Sequence, residues 1–246
     1  MTVRFVGAGP GAPDLITVRG QRLLREAAVV LYAGSLVPAE LLAECRADAR
    51  LVDTQGLDLD AIEAEFVAAD AGGLDVVRLH SGDLSIYSAV AEQLRRLEAR
   101  GIDHELVPGV PAFAAAAAAL GRELTVPEVN QSVVLTRLAR EASAMPPRET
   151  LDNLGRAGAL IVLHLATHLV DEVVAELLPN YGSDCPAAVV AYASQPGEVV
   201  LRGTLATIAA QVTEAGLRRT AVILVGRSLA AEGFRDSHLY SCTRPR

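Results

Sequence analysis

The sequence predicts an α/β fold of two domains, a mainly parallel sheet in the first and a mixed sheet in the second. Three observations carry that expectation. Short β-branched runs alternate with helix-period segments through the first half, the pattern of parallel strands joined by crossover helices. Two of those runs lead directly into glycine motifs, Gly7-Ala8-Gly9-Pro10-Gly11 and Ser81-Gly82-Asp83. In the second half, two further runs flank Ser194-Gln195-Pro196-Gly197, a hairpin turn that requires antiparallel pairing.

Taken in order, residues 3–6 form a strand ending in glycines and residues 17–28 a helix. Strands follow at 29–32 and 51–53, then an amphipathic helix over 58–69. Residues 76–79 are a strong strand, 89–100 a helix stopped by Gly101, and 104–107 a further strand. Pro108-Gly109-Val110-Pro111 punctuates the chain before an alanine-rich helix, which suits close packing because alanine is small and the best helix former. The pattern changes around residues 121–126, so the first domain is expected over 1–120 and the second over 121–246. Second-half strands are expected at 132–136, 160–163, 187–191, 198–202 and 221–225, with Met145-Pro146-Pro147-Arg148 in a polar loop.

Composition narrows the function. With 246 residues and 51% apolar side chains, the chain can bury a sizeable core. A formal charge of −8 argues against nucleic acid, whose binding rests on neutralised phosphates. Cys45, Cys185 and Cys242 are odd in number and far apart, which fits a reducing compartment and no zinc site. All 22 basic residues are arginine. The absence of lysine removes pyridoxal Schiff-base enzymes, lysine aldolases and P-loop nucleotide sites. No targeting pattern opens the chain, and its apolar runs fall short of the roughly 20 residues a membrane span needs. A soluble cytoplasmic protein is expected.

The first glycine motif fits G-x-G-x-x-A at Gly7, Gly9 and Ala12, yet it is a poor dinucleotide site. Pro10 and Pro13 disrupt a helix opening inside the motif, and Val29-Val30-Leu31-Tyr32 lacks the acidic residue that holds a ribose. A structural turn and a ligand loop at a strand's carboxyl end both remain open. The second motif puts a carboxylate, Asp83, at the end of a strand, with Ser85 as a candidate helix cap. His164 and His168 stand four apart, but His164 ends a predicted strand and no third ligand is near, so no metal is expected. No G-x-S-x-G elbow occurs.

Five segments in order resemble the class III S-adenosylmethionine-dependent methyltransferases that build corrinoids and sirohaem. They are VGAGPGAPDLITVRG from Val6, HSGDLSIYS from His80, PGVPAF from Pro108, AYASQPGE from Ala191 with RGTL from Arg202, and AVILVG from Ala221. YAGSLV from Tyr32 and ELTVPEVNQ from Glu123 resemble in particular the branch that methylates C11 of precorrin-4. The resemblance implies a homodimer, a ligand cleft between the two α/β domains, a polycarboxylate tetrapyrrole substrate and S-adenosylmethionine as methyl donor; the charge and the short apolar runs already speak against a nucleic acid or membrane partner. It implies cofactor contacts from Pro10, Ser81, Gly82, Asp83, Ile86, Pro111, Ala112, Leu165, Ala193 and Ala221. Asp83 and Tyr87 are candidate orienting groups at the reaction centre. Arg122, Arg137 and Arg140 are candidate partners for substrate carboxylates, since guanidinium forks match carboxylate geometry. Two departures stand out: the family often has G-G-D-P where this chain has Ser81-Gly82-Asp83-Leu84, and a serine or threonine at Pro111. A cobalt-loaded substrate, an RNA- or protein-modifying activity on the same fold, and a non-catalytic nucleotide-binding module are the alternatives.

Overall fold

The computed structural model describes residues 1–138 and 143–238, without the side chain of Ser35. The chain divides into two compact units, Met1–Ala115 and Ala116–Arg246.

The first unit runs β1 (Thr2–Gly7), α1 (Val18–Glu26), β2 (Val29–Tyr32), α2 (Ala39–Leu42), β3 (Arg50–Asp53), α3 (Leu59–Ala71), β4 (Val76–His80), α4 (Val90–Arg100), β5 (Asp103–Val107) and the start of α5 (Ala112–Leu120). Its sheet has the order β3-β2-β4-β1-β5, and every pair is parallel. Alternate residues of one strand face opposite sides of a sheet, and two buried clusters show both sides covered. Phe5, Val29, Leu31 and Val76 pack with Ile62, Phe66 and Leu97 of α3 and α4. Val6, Val30, Val77 and Leu79 pack on the other side with Leu24 of α1 and Leu41 of α2. Helix starts follow from capping: Thr17 Oγ1 accepts from Gly20 N at 3.1 Å, and Asp58 Oδ1 from Ala61 N at 2.8 Å.

The strand order explains where a site can form. From β1 the chain crosses toward β2, whereas from β4 it crosses the other way to β5. The loops after these two neighbours therefore part, and open α/β sheets bind ligands in the crevice at such a switch point.

The second unit runs β6 (Val133–Arg137), α6 (Leu151–Gly155), β7 (Leu160–His164), α7 (Val170–Tyr181), β8 (Pro186–Ala191), β9 (Val199–Thr204), α8 (Ile208–Glu214) and β10 (Ala221–Val225). Its sheet has the order β6-β7-β10-β8-β9. Only β6 and β7 pair in parallel; the hairpin β8–β9 and both contacts of β10 are antiparallel. The mixed sheet expected from the hairpin turn is present. Leu151, Val173, Leu177, Ile208 and Val212 cover one face.

At the carboxyl edge of the first sheet the backbone of β1 approaches the loops after β4 and β5 with no room for side chains. A β-carbon on Gly7 would lie 2.6 Å from Gly109 Cα and 2.8 Å from Gly82 O. Gly7→Ala should therefore destabilise the fold by about 3 kcal/mol, the upper end of overpacking costs. A β-carbon on Gly56 would meet nothing within 4 Å, so Gly56→Ala should be silent. Urea denaturation compares the two; equal stability would refute the close approach.

Candidate functional site

Three loops meet at that edge. Gly9 and Gly82 form an antiparallel bridge, Gly9 N donating to Gly82 O at 3.1 Å and Gly82 N to Gly9 O at 2.7 Å. Both glycines have positive φ, +82° and +69°, which a β-carbon would strain. Ala8 N donates to His80 O at 2.7 Å, so the first motif continues the β1–β4 pairing past the end of the strands. Pro10 and Gly11 are buried behind the bridge, while Pro111 and Ala112 are half-buried at the start of α5.

Asp83 ties the second motif to the third. Its Oδ2 accepts from Gly109 N at 2.8 Å, and its Oδ1 accepts from Ser85 N at 2.9 Å and from the Ser85 hydroxyl. Burial pushes the carboxyl upward, but these bonds, with the Leu84 backbone, outweigh it and hold the group below the ordinary carboxylate range. Both oxygens are thus engaged in shaping the loop, which makes Asp83 a positioning residue. Ser85 does not cap a helix: α4 opens five residues later with Ala89 as its N-cap. The intervening chain is bent by positive φ at Tyr87 (53°) and Ala89 (54°), uncommon for side chains beyond glycine. Tyr87 is 44% exposed, and Ser81 and Ile86 lie exposed and half-buried on the same loop.

Beside this loop lies a cavity of about 360 Å³, lined by Ala33, Leu36, Arg78, His80, Ser81, Tyr87 and Glu92 among others. Arg78, on β4, is 6% exposed. Its Nη1 donates to Thr54 Oγ1 at 2.9 Å and its Nε to Gln93 Oε1 at 3.4 Å. Thr54 in turn donates to Tyr32 O at 3.0 Å, and Gln93 Nε2 to Ala89 O at 2.8 Å. Desolvation lowers the Arg78 pKa to about 10, which leaves it charged at neutral pH. Burial, followed by the Arg78 charge, pushes His80 down to about 3, and its buried Nε2 has no hydrogen-bond partner among the described residues. Neither residue is prominent in the sequence, because a basic residue inside an apolar run reads as strand alternation.

In the second unit, other predicted residues gather at one sheet edge. Arg137 ends β6 in register with His164, the last residue of β7; Leu165 follows it. Ala221 opens β10 in register with Ala191, the last residue of β8, and Ala193 lies two residues beyond. Because β10 runs against β7 and β8, Arg137, Leu165, Ala193 and Ala221 share that edge. Leu165 is a large apolar residue 61% exposed at φ 56°, a strained conformation typical of functional sites. Arg137 Nη2 donates to Ser143 O at 2.8 Å. Arg122 lies elsewhere in the unit, Nη1 donating to Ala231 O at 3.3 Å. Arg140 lies outside the described residues, as does Cys242. His164 and His168 fall on a strand and on a separate turn of 3-10 helix, so they share no helix face. Of the branch-like segment 123–131, Asn130 is structural: Nδ2 donates to Gly158 O at 2.7 Å, and Oδ1 accepts from Ser228 N at 3.0 Å.

The chain matches the family described as tetrapyrrole (corrin/porphyrin) methylases over residues 2–209. It is 64% identical over 246 residues to the precorrin-4 C(11)-methyltransferase of Rhodococcus erythropolis, covering 100% of this chain and 99% of that one. Its structure is similar to the X-ray structure of a cobalamin biosynthetic enzyme, cobalt precorrin-4 methyltransferase, with a TM-score of 0.91 and 38% identity over 94% of this chain and 96% of that one. It is also similar to the uroporphyrin-III C-methyl transferase from Thermus thermophilus complexed with S-adenyl homocysteine, with a TM-score of 0.79 and 28% identity over 93% of this chain and 99% of that one.

The depressed pKa of His80 has a consequence for stability. Its folded value, about 3, lies below its ordinary 6.5, so its contribution is complete above pH 6.5 and is lost as pH falls toward 3. Urea denaturation at stepped pH should show that loss, at most a few kcal/mol, and His80→Leu should flatten it. An unchanged slope would absolve His80.

Proposed function

Because the chain belongs to the tetrapyrrole methylase family, we propose that it is an S-adenosylmethionine-dependent methyltransferase that acts on C11 of precorrin-4 to give precorrin-5 in cobalamin biosynthesis. The full-length likeness to the Rhodococcus erythropolis enzyme carries this reading. The cofactor supplies a methyl group activated on a sulfonium.

The first-unit edge suits that cofactor. Glycines at Gly7, Gly82 and Gly109 hold three loops together through backbone, and the rim they leave is neutral and small at Pro111 and Ala112. Both oxygens of the ionised Asp83 carboxylate are engaged by backbone and Ser85, so the side chain holds the loop's shape. We assign to the cofactor Pro10, Ser81, Gly82, Asp83, Ile86, Pro111 and Ala112 in the first unit, and Leu165, Ala193 and Ala221 in the second. What these residues do is align donor and acceptor, which can supply roughly 7–11 kcal/mol of a barrier. Methylation at a ring carbon that becomes quaternary releases no proton from it, so no strict general base is assigned. We assign Asp83 to holding the loop and Tyr87 to orienting the acceptor.

Arg137, at the edge shared with Leu165, is assigned to a substrate carboxylate, with Arg122 and Arg140 as further candidates. The homodimer implied by the resemblance and the cytoplasmic location expected from the sequence belong to this proposal, and no helix among the described residues is long and apolar enough to cross a membrane. The net charge of −8 disfavours an RNA substrate. A second reading, methylation of cobalt-loaded precorrin-4, is favoured by the structural likeness to the cobalt precorrin-4 enzyme.

Incubation with methyl-labelled cofactor and precorrin-4, cobalt-precorrin-4 or uroporphyrinogen III, read by mass spectrometry and carbon NMR, should place a single methyl at C11 of precorrin-4 and none on uroporphyrinogen III. Label on any other ring carbon defeats the assignment. Asp83→Ala should weaken S-adenosylhomocysteine binding by about tenfold or more in calorimetry, since bonds to a charged group are worth ~1.5–3 kcal/mol each. Unaltered affinity would show that the clamp does not shape the cofactor loop.

A further inference from the structure

The cavity beside the second loop is built around a charge that no carboxylate among the described residues pairs with. Arg78 is held by two neutral acceptors, Thr54 and Gln93, and among the described residues no carboxylate forms an ion pair with it. Its Nη2 takes no hydrogen-bond partner among the described residues. Taking a guanidinium out of water costs several kcal/mol, and proteins normally recover that with a paired anion. Glu92 lines the same cavity but makes no ion pair with Arg78.

The cavity's other walls are informative. Ala33 and Leu36 come from the segment 32–37, which resembles the precorrin-4 branch in particular, and Ser81 and Tyr87 come from the cofactor loop. Thr54, the better of the two acceptors, is itself anchored to the carbonyl of Tyr32, the first residue of that segment. At about 360 Å³ the cavity falls within the range of small-molecule pockets. It therefore puts a buried cation, a branch-like wall and the cofactor loop around one space.

We propose that this cavity receives one carboxylate arm of the tetrapyrrole, with the Arg78 guanidinium as its counter-charge. The proposal rests on the function assigned above and adds to it a specific anchor. Precorrin-4 and uroporphyrinogen III are both tetrapyrroles, so the ring alone does not separate them, whereas the placement of the acidic arms fixes which ring carbon faces the donor. A guanidinium fork at a fixed depth below the branch-like wall would select one such placement. Binding here also gives Arg78 the ion pair that it lacks among the described residues.

Steady-state kinetics with precorrin-4 test the assignment. Arg78→Met should raise KM by about tenfold or more, the scale of a lost charge-assisted hydrogen bond, while the Kd for S-adenosylhomocysteine stays within about twofold. Leu36→Trp, which fills the cavity and leaves the guanidinium in place, should raise KM in the same way. An unchanged KM in both variants, or a KM rise matched by equal loss of S-adenosylhomocysteine binding, overturns the pocket. Propionate gives a reading that needs no turnover. At millimolar concentration it should raise the melting temperature of the wild-type protein and compete with precorrin-4, and it should do neither with Leu36→Trp. Stabilisation by propionate without competition would mean a site for a free small carboxylate, and no stabilisation at all would mean no anion pocket; either result overturns the proposal. Should the wild-type protein fail to methylate precorrin-4, the assigned activity falls, and the wild-type and Leu36→Trp melting curves with propionate still decide whether Arg78 holds an anion.

Discussion

Backbone packs directly on backbone where β1, β4 and β5 end. The β-carbon that Gly7 lacks would collide with Gly109 and Gly82, and the one that Gly109 lacks would collide with the Gly82 carbonyl. Side chains in this place would force the three loops apart, and with them the Gly9–Gly82 bridge and the bond from Gly109 N to Asp83. The parallel sheet creates the opportunity, because the chain leaves β1 and β4 in opposite directions and opens a crevice at their carboxyl ends. Glycine then decides its shape. Asp83 completes the arrangement with bonds to two loops, and its carboxylate becomes part of the scaffold.

The face of β4 that carries Arg78 and His80 shows what the arrangement costs. Val76, on the same face, belongs to the core with Phe5 and Phe66, whereas Arg78 and His80 continue that row toward the carboxyl edge. An apolar pair there would extend the core at no electrostatic cost. Instead the strand holds a cation between neutral acceptors and an imidazole kept neutral by burial. Functional sites are where local rules for a stable fold are broken, and the breach lies directly beside the glycine loops.

Most strands are legible in the sequence because hydrophobic runs bounded by turn residues are a local signal. The strands at 29–32 and 221–225 occupy the residues expected for them, and others differ by one or two residues at one or both ends. The helices of the second unit are less visible for different reasons. Helix α8 buries only Ile208 and Val212, too few anchors for a period. Helix α7 buries Val170, Val173, Leu177 and Tyr181, a spacing that a helical template fits, but Pro179 in its last turn disguises the end. Ser85 reads as a cap because the chain after it is helix-forming. The positive φ values of Tyr87 and Ala89, and the Ser88 hydroxyl bonded to Leu84 O, delay the helix to Val90. Arg78 has no local signature. Its surroundings depend on Thr54 and Gln93, which lie 24 and 15 residues away and arrive on different elements.

The same contrast accounts for the two departures from the family's usual residues. Pro111 precedes α5, and its carbonyl accepts from Ala114 N at 3.0 Å and Ala115 N at 3.3 Å. Proline suits such a position because the helix makes no use of the missing N–H. Leu84 likewise sits in a loop whose form is set by the Asp83 bonds and the Gly82 turn, which a leucine leaves intact. An edge made of backbone tolerates changes of side chain, so the glycine loops can vary without loss of shape. Selection of a substrate has no such latitude, because only side chains tell one macrocycle from another. On the proposed function, the burden of specificity falls outside the glycine loops, on side chains such as Ala33 and Leu36 that wall the Arg78 cavity. Within 123–131, by contrast, Asn130 spends its amide on holding its own unit together, and a branch-like residue there is explained by folding as readily as by substrate.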